Sequence, residues 1–233
     1  MPVPLPAIDP LPAEQLAFLR GVDSPTLANA IERFEVRDRT EGFIGGTVAS
    51  LFPELPPMVG AALTVTMRDE PGAVKSKRGF WELFETLAAV PAPSVVVVQD
   101  RSGRPSRVAY CGEVMATMAQ RLGAAGYVTD GSVRDVAEVR ALGLAYFASG
   151  VCVSHGNFSV EDVGEPVELD GQAVATGDLL HGDANGIVVV PRAVLAELPG
   201  AVETIRSNEG ELMAYVRSDA FTVAGARDLT GYR

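Results

Sequence analysis

Residues 111–135, CGEVMATMAQRLGAAGYVTDGSVRD, decide how this chain is read. Gly112-Glu113-Val114-Met115 opens a helix, whose first N–H groups have no partner within the helix and can hold an anion. Val114, Met115, Met118, Ala119 and Leu122 recur at helical spacing, which predicts one buried face, and Gly123 and Gly126 bracket the stop. Tyr127 to Asp130 predicts a short strand, and Gly131 a turn. Ser132 is expected to open the next helix, with Arg134 and Asp135 in its first turn. If the fold brings the two helix starts together, backbone donors, a guanidinium and two or three carboxylates meet in one cleft. Such a cleft suits a small, doubly polar acid and a hard metal ion.

Working upstream, residues 101–110 read as a loop. Ser94 to Asp100, with its run of valines, predicts a strand buried on both faces. Gly79 to Val90 predicts an amphipathic helix ended by Pro91 and Pro93, and Val59 to Arg68 an alternating strand. Residues 34–58 look loop-like. Ser24-Pro25 reads as an N-cap and first helical position for a helix to about Arg33, and Pro12 to Arg20 as a short helix. Five prolines within residues 1–12 predict an extended lead-in, mobile or wrapped on a neighbour. Downstream, the helix is expected to reach about Leu142, capped by Gly143. Residues 144–148 and 151–154 read as short strands around Gly150, and 155–166 as a loop. Asp170-Gly171 signals a hairpin. Ile187 to Val190 predicts a strand that Pro191 ends. Residues to about Ser218 read as mostly helical, interrupted near Pro199-Gly200 and Gly210, and the tail from Asp219 has no clear periodicity. Alternating elements early and short strands late predict a layered α/β domain with a mixed sheet.

A chain of 233 residues that is 47% hydrophobic can bury a core as one domain. The net charge of −11 argues against a nucleic-acid groove. No basic start precedes an apolar core at the N-terminus, and the apolar runs are too short to span a bilayer, so neither a signal peptide nor a membrane partner is expected. Cys111 and Cys152 lack metal-like spacing, which fits a reduced, cytoplasmic setting. Lys75 and Lys77, the chain's two lysines, lie in the polar stretch EPGAVKSKRG. A Schiff-base lysine needs an apolar pocket, so carbanion chemistry here would instead use a metal. Neither a phosphate loop nor a Gly-x-Ser-x-Gly elbow is present.

The run G-E-x-x-x-x-x-A from Gly112, the G-Y-V-x-D-G at 126–131 and the S-V-R-D at 132–135 resemble the family that contains 4-hydroxy-4-methyl-2-oxoglutarate aldolase and the RraA-like proteins. The likeness runs, more weakly, from about Ser24 to about Pro191. It implies a β/β/α swivelling-domain-like fold, similar to phosphohistidine domains. It also implies one domain over 1–233, with an N-terminal extension at 1–23 and a C-terminal helical segment at 192–233 that contacts a neighbouring subunit in a homotrimer or homohexamer. The implied activity is that of a divalent-metal-dependent lyase, an aldolase that uses Mg²⁺ or Mn²⁺ to release pyruvate from a 2-oxo acid. Oxaloacetate decarboxylase activity would share its enolate. The same resemblance carries two other readings: a non-catalytic regulator of ribonuclease activity, and the same metal site acting on a different acid.

Asp135, on its residues alone, fits a capping box with Ser132; the resemblance instead makes it the direct metal ligand. Arg134 is by itself an ordinary surface ion-pair former, and by resemblance a substrate-binding residue. Glu113 suits the first turn of any helix, and by resemblance holds the metal through water. Gly112, Glu113, Val114 and Met115 match the segment whose backbone amides grip the substrate carboxylate. Asp130 suits an Asx-type turn or the site wall. Asp183, with Asn185 where relatives usually carry Asp, is read as turn chemistry, and Asn29 also departs in charge from relatives. His155 follows a strand end, from which it can face a cleft, and is read in preference as a surface or loop residue; His155 and His181 are too far apart in sequence to predict a zinc site. Glu209 or Glu211 is the candidate for an acid that relatives supply from a neighbouring subunit.

Overall fold

The computed structural model describes residues 3–72 and 78–231. Its elements, in chain order, are α1 (Ala13–Arg20), α2 (Ser24–Glu32), β1 (Phe43–Ile44), β2 (Ala49–Ser50), β3 (Met58–Asp69), α3 (Phe80–Leu87) and β4 (Ser94–Asp100). There follow α4 (Glu113–Arg121), β5 (Ala124–Val133), α5 (Val136–Leu142), β6 (Ala145–Val151), β7 (Phe158–Val163), β8 (Val167–Leu169) and β9 (Gln172–Val174). The chain closes with β10 (Leu179–Asp183), β11 (Gly186–Val190), α6 (Leu198–Val216) and α7 (Val223–Thr230).

Strands β3, β4, β5 and β6 are parallel neighbours, and α3, α4 and α5 make the crossovers between them. Alternation along each strand splits the core in two. Leu63, Val65, Val96, Val98, Tyr127 and Tyr146 face the layer that holds Leu83, Leu87, Ala116 and Val139 of the three helices. Ala62, Val95, Val97, Val128 and Phe147 face the opposite way, onto Val167, Leu169, Val174, Leu180 and Ile187. Each fully buried valine of the 95–98 run contributes roughly 1.5–3 kcal/mol. Strand β10 pairs antiparallel with β3 and β11 antiparallel with β10, and β7 pairs antiparallel with the last residues of β3, which makes the sheet mixed. A third cluster seats α1, α2 and the start of α6 on β10 and β11, through Leu19, Leu27, Ile31, Leu179, Val190 and Leu198. The result is a layered α/β fold with a mixed sheet, as the sequence predicts.

Several local expectations give way to non-local pairing. Gly131 makes no turn: β5 runs on to Val133, where Ser132 and Val133 pair with Gly150 and Val151. Glycine is needed at 131 because a Cβ there would lie 2.5 Å from the Tyr110 ring. Helix α5 therefore starts at Val136, and Ser132 does not cap it. Strand β6 is continuous through Gly150, and 155–166 is not all loop but contains β7, held by β3. Helix α6 runs unbroken past Gly200 and Gly210, since its proline sits in the first turn, where no N–H is missed. The aperiodic tail forms α7, with Thr222 as its N-cap. The N-cap of α2 is Asp23, one residue earlier than expected. The proline-rich lead-in packs on its own domain: Val3 N donates to Thr86 Oγ1 at 3.0 Å, and Val3, Leu5 and Ile8 pack against the helix-side core.

Candidate metal and 2-oxo acid site

The two helix starts do meet, and parallel pairing is the reason. Helices α4 and α5 follow adjacent parallel strands, so both begin at the carboxyl end of the sheet, where open α/β sheets bind ligands. The segment before α4 is zipped onto the end of β5. Tyr110 N donates to Ser132 O at 2.9 Å, and Arg134 N donates to Cys111 O at 2.9 Å. This sets Gly112 against Arg134 and Asp135: a Cβ at 112 would lie 2.5 Å from Asp135 Oδ2 and 2.9 Å from Arg134 Nε.

Asp135 stands in the left-handed region, at φ 55°. That conformation costs a non-glycine residue of order 1–3 kcal/mol and clusters at functional sites. It occupies the N-cap position of α5, yet its carboxylate serves the other helix, with Oδ2 accepting the N–H of Glu113 at 2.9 Å. Arg134 Nε lies 3.5 Å from the same oxygen, with both side chains about one-third exposed. The capping-box role is thus replaced by a cross-helix cap. Oδ1 has no hydrogen-bond partner among the described residues. With the Glu113 amide taken by Asp135, and Ala116 N donating to Gly112 O, the Val114 and Met115 amides are the first-turn donors without an intrahelical acceptor at this helix start.

Arg134, Gly112, Val114 and Met115 line one cavity of about 230 Å³. Phe80, His155 and Phe158 share it, with Ala109 and Cys111. Val114 is 70% exposed at its mouth rather than buried as its spacing predicts, because the start of α4 faces the cavity and not the core. Burial pushes the Cys111 thiol up to about 12, so it is no nucleophile. Loop 101–110 contributes Ala109 to the lining, and residues 73–77, which include both lysines, lie outside the described residues.

Other candidates fall elsewhere. Asp130 Oδ1 accepts the N–H of Asp100 at 2.6 Å, and Asp130 does not line the cavity. Its carboxyl is pushed up to about 6, by burial first and by the nearby Asp100 charge. Asp183 is structural: Oδ2 accepts Ser24 N at 2.8 Å and Oδ1 accepts Asn185 N at 2.8 Å. Glu209 and Glu211 line a separate cavity of about 620 Å³ with Asn29, Glu32, Arg33 and Arg39, so a single chain does not bring them to Asp135. His181 is fully buried, not a metal ligand, and its ring bridges Ser24, Leu19 and Val22. Phe80 and Phe158 are cavity residues that the reading by sequence missed, and His155, for which it weighed a cleft and preferred a loop, does enter the cavity. Their one signal was that 155 follows a strand ending on the same edge of the sheet.

Among the described residues no group of three His, Cys, Asp or Glu side chains is placed to hold a metal ion. A hard cation that keeps most of its waters needs only one or two carboxylates. Asp135 offers one such carboxylate, with an oxygen that has no hydrogen-bond partner among the described residues, and Glu113, whose backbone N–H it accepts, carries an exposed side chain.

Residues 25–189 match the RraA-like family, described as Aldolase/RraA. The chain belongs to that family. Relatives of this RraA-like chain include a protein of Halalkalibacterium halodurans named "Putative 4-hydroxy-4-methyl-2-oxoglutarate aldolase", 33% identical over 102 residues, which are 43% of this chain and 48% of that protein. Protein DlpA of Legionella pneumophila is 26% identical over 94% of this chain and 36% of its own length. The chain thus spans about half of the first of these curated relatives and about a third of the second. Among solved structures, an uncharacterized protein from Pseudomonas syringae pv. tomato matches with a TM-score of 0.74 and 25% identity over 100% of both chains. Streptomyces coelicolor RraAS2, described as an unusual member of the RNase ES inhibitor RraA protein family, matches with a TM-score of 0.71 and 26% identity over 88% of this chain and 100% of its own. No helix among the described residues is long and apolar enough to cross a membrane.

Proposed function

We propose that this RraA-like protein is a divalent-metal-dependent carbon–carbon lyase that cleaves a 2-oxo acid to release pyruvate. A substrate such as 4-hydroxy-4-methyl-2-oxoglutarate fits this chemistry, and oxaloacetate decarboxylation would be a second activity of the same site. The observation that carries the reading is that Arg134 and the start of α4 line one open cavity, with the Asp135 carboxylate held against both beside it although not itself part of the lining. Asp135 would hold Mg²⁺ or Mn²⁺ directly and Glu113 would reach it through water. The ion supplies Lewis-acid withdrawal of electrons from the 2-oxo group. The Val114 and Met115 amides bind and orient the substrate carboxylate at the positive end of the helix. Arg134 offers its fork to the negative charge that grows on the keto oxygen as the C–C bond breaks. Phe80, Phe158 and Met115 keep water from that charge.

We also assign this chain to a homotrimer or homohexamer. Helices α6 and α7 and the link between them leave Met213, Val216, Phe221, Val223 and Leu229 exposed, apolar surface suited to a second copy. Glu209 or Glu211 would act at a neighbour's site. A cytoplasmic location and the absence of a nucleic-acid partner belong to the same proposal. Similarity to RraAS2 supports a second reading, a non-catalytic regulator of a ribonuclease. A lactate-dehydrogenase-coupled pyruvate assay on 2-oxo diacids, with and without Mg²⁺ and chelator, separates the two. Pyruvate release that chelator stops and Asp135→Ala abolishes supports the lyase; no release from any such substrate rejects it.

A further inference from the structure

The lyase reading leaves one polar side chain of the cavity without a task. His155 lines it opposite no carboxylate or lysine of the described lining, beside Phe158, whose ring meets the imidazole edge-on at 6.5 Å. Its Nδ1 lies 2.7 Å from Gly156 O. A carbonyl oxygen only accepts, so Nδ1 carries the proton and donates, and in the neutral ring Nε2 is a bare acceptor. Nε2 has no hydrogen-bond partner among the described residues. The bond to Gly156 therefore both orients the ring and leaves one lone pair for a ligand in the cavity, the arrangement of a general base held in one tautomer by its other nitrogen. The segment that carries it is anchored beside the site: Ala109 N donates to Ser154 O at 2.8 Å, and Ala109 lines the same cavity.

We infer that His155 is the general base, and then the general acid, for the aldol cleavage of a 4-hydroxy-2-oxo acid in this cavity. This rests on the lyase reading above. Nε2 takes the proton of the C4 hydroxyl. The freed O–H electron pair forms the new carbonyl at C4, the C3–C4 bond breaks, and its electrons pass to the pyruvyl half as the enolate, facing Arg134 and the Val114 and Met115 amides. The imidazolium then returns the same proton to C3, so pyruvate leaves and the neutral ring is restored with no co-reactant. Oxaloacetate has no hydroxyl to deprotonate, and the enolate left by its decarboxylation can take a proton from water. The two reactions therefore differ in their need for His155 while sharing Arg134 and Asp135.

The test compares wild type, His155→Gln and His155→Asn, each with Mg²⁺, on 4-hydroxy-4-methyl-2-oxoglutarate and on oxaloacetate. General bases contribute about 10²–10⁴-fold, so kcat for aldol cleavage is expected to fall at least about 100-fold relative to kcat for decarboxylation, with KM little moved. A ratio of the two activities within about threefold of wild type in either variant, whether both persist or both fall, overturns the assignment, because a residue that only shapes the cavity affects both reactions alike. Wild type inactive on both substrates overturns the lyase reading itself, and this inference with it. Decarboxylation by the wild type without aldol cleavage overturns the role of His155 alone.

Discussion

Asp135 Oδ2 accepts the backbone N–H of Glu113, twenty-two positions earlier in the chain, at 2.9 Å. One carboxylate thus caps a helix that is not its own, in a left-handed backbone conformation, beside Arg134, which lines the cavity. Two duties fall on it, and they separate by substitution. Asp135→Asn keeps an oxygen for the Glu113 amide and tolerates the left-handed conformation, but loses the charge a cation needs. Asp135→Ala loses both. Asn is expected to melt within about 1 kcal/mol of wild type and Ala about 1–3 kcal/mol lower, from the lost cap and the added backbone strain. Neither should gain stability from added Mg²⁺, whereas wild type should. Thermal melts with and without the ion read all of this, and a Mg²⁺-induced rise in Asp135→Ala would remove Asp135 as the ligand.

Gly112 tests the approach of the two helix starts. Its φ of −144° is open to any residue, so alanine meets no backbone strain. The close approaches are to Asp135 Oδ2 at 2.5 Å, Arg134 Nε at 2.9 Å and Arg134 Cγ at 3.1 Å. Gly112→Ala is expected to lower pyruvate release more than about tenfold, on the scale of misplacing reacting groups by an ångström, while the melting temperature drops only a few degrees. Activity equal to wild type would mean that the pair is not used where it stands.

His181 predicts a loss of stability in acid. Its Nε2–H faces Leu19 O and Val22 O at 3.0 Å each, and Nδ1 accepts from Ser24 Oγ. Burial holds its pKa below the ordinary value, against the raising effect of those carbonyls and of Asp183 and Asp23. The folded state therefore favours the neutral ring. Its contribution is fully present above the unfolded value of about 6.5 and is lost as pH falls below it. Urea midpoints at pH 7.5, 6.5 and 5.5 should fall for wild type and fall less for His181→Gln, which keeps a donor and an acceptor but does not titrate.

Asp130 predicts the opposite slope. Its carboxyl is pushed from 3.8 up to about 6 by burial, then by Asp100, against the lowering bond from Asp100 N–H. A raised carboxylate favours the protonated fold, so its stabilisation is present below the unfolded pKa and disappears as pH rises through about 6. Asp130→Asn, which can still accept from Asp100 N, is expected to be more stable than wild type at pH 8, by at most about 3 kcal/mol, and equal to it near pH 4. An equal difference at both pH values would assign the effect to something other than this titration.

Much of the frame was legible because it rests on local periodicity. The 95–98 valines, the helix from Glu113, the Asp170-Gly171 hairpin and the Gly143 cap are each written within a few residues. The misreadings share one cause. Gly131, Gly150 and residues 158–163 carry local turn or loop signals, but long-range strand pairing supplies more hydrogen bonds than a turn would, and the strands continue. In the same way the spacing of Val114 spoke of a buried face, while the cavity at the start of α4 left it open.

By itself the sequence determined the alternation of strands and helices, the paired glycine-opened and Arg-Asp segments, and the family to which they belong. Tertiary structure alone decided that Asp135 caps the Glu113 helix and that His155 enters the cavity with Arg134. The reason is physical: side-chain pattern sets which face of an element is buried, but only the parallel order of β4, β5 and β6 decides which helix starts and strand ends share one edge of the sheet.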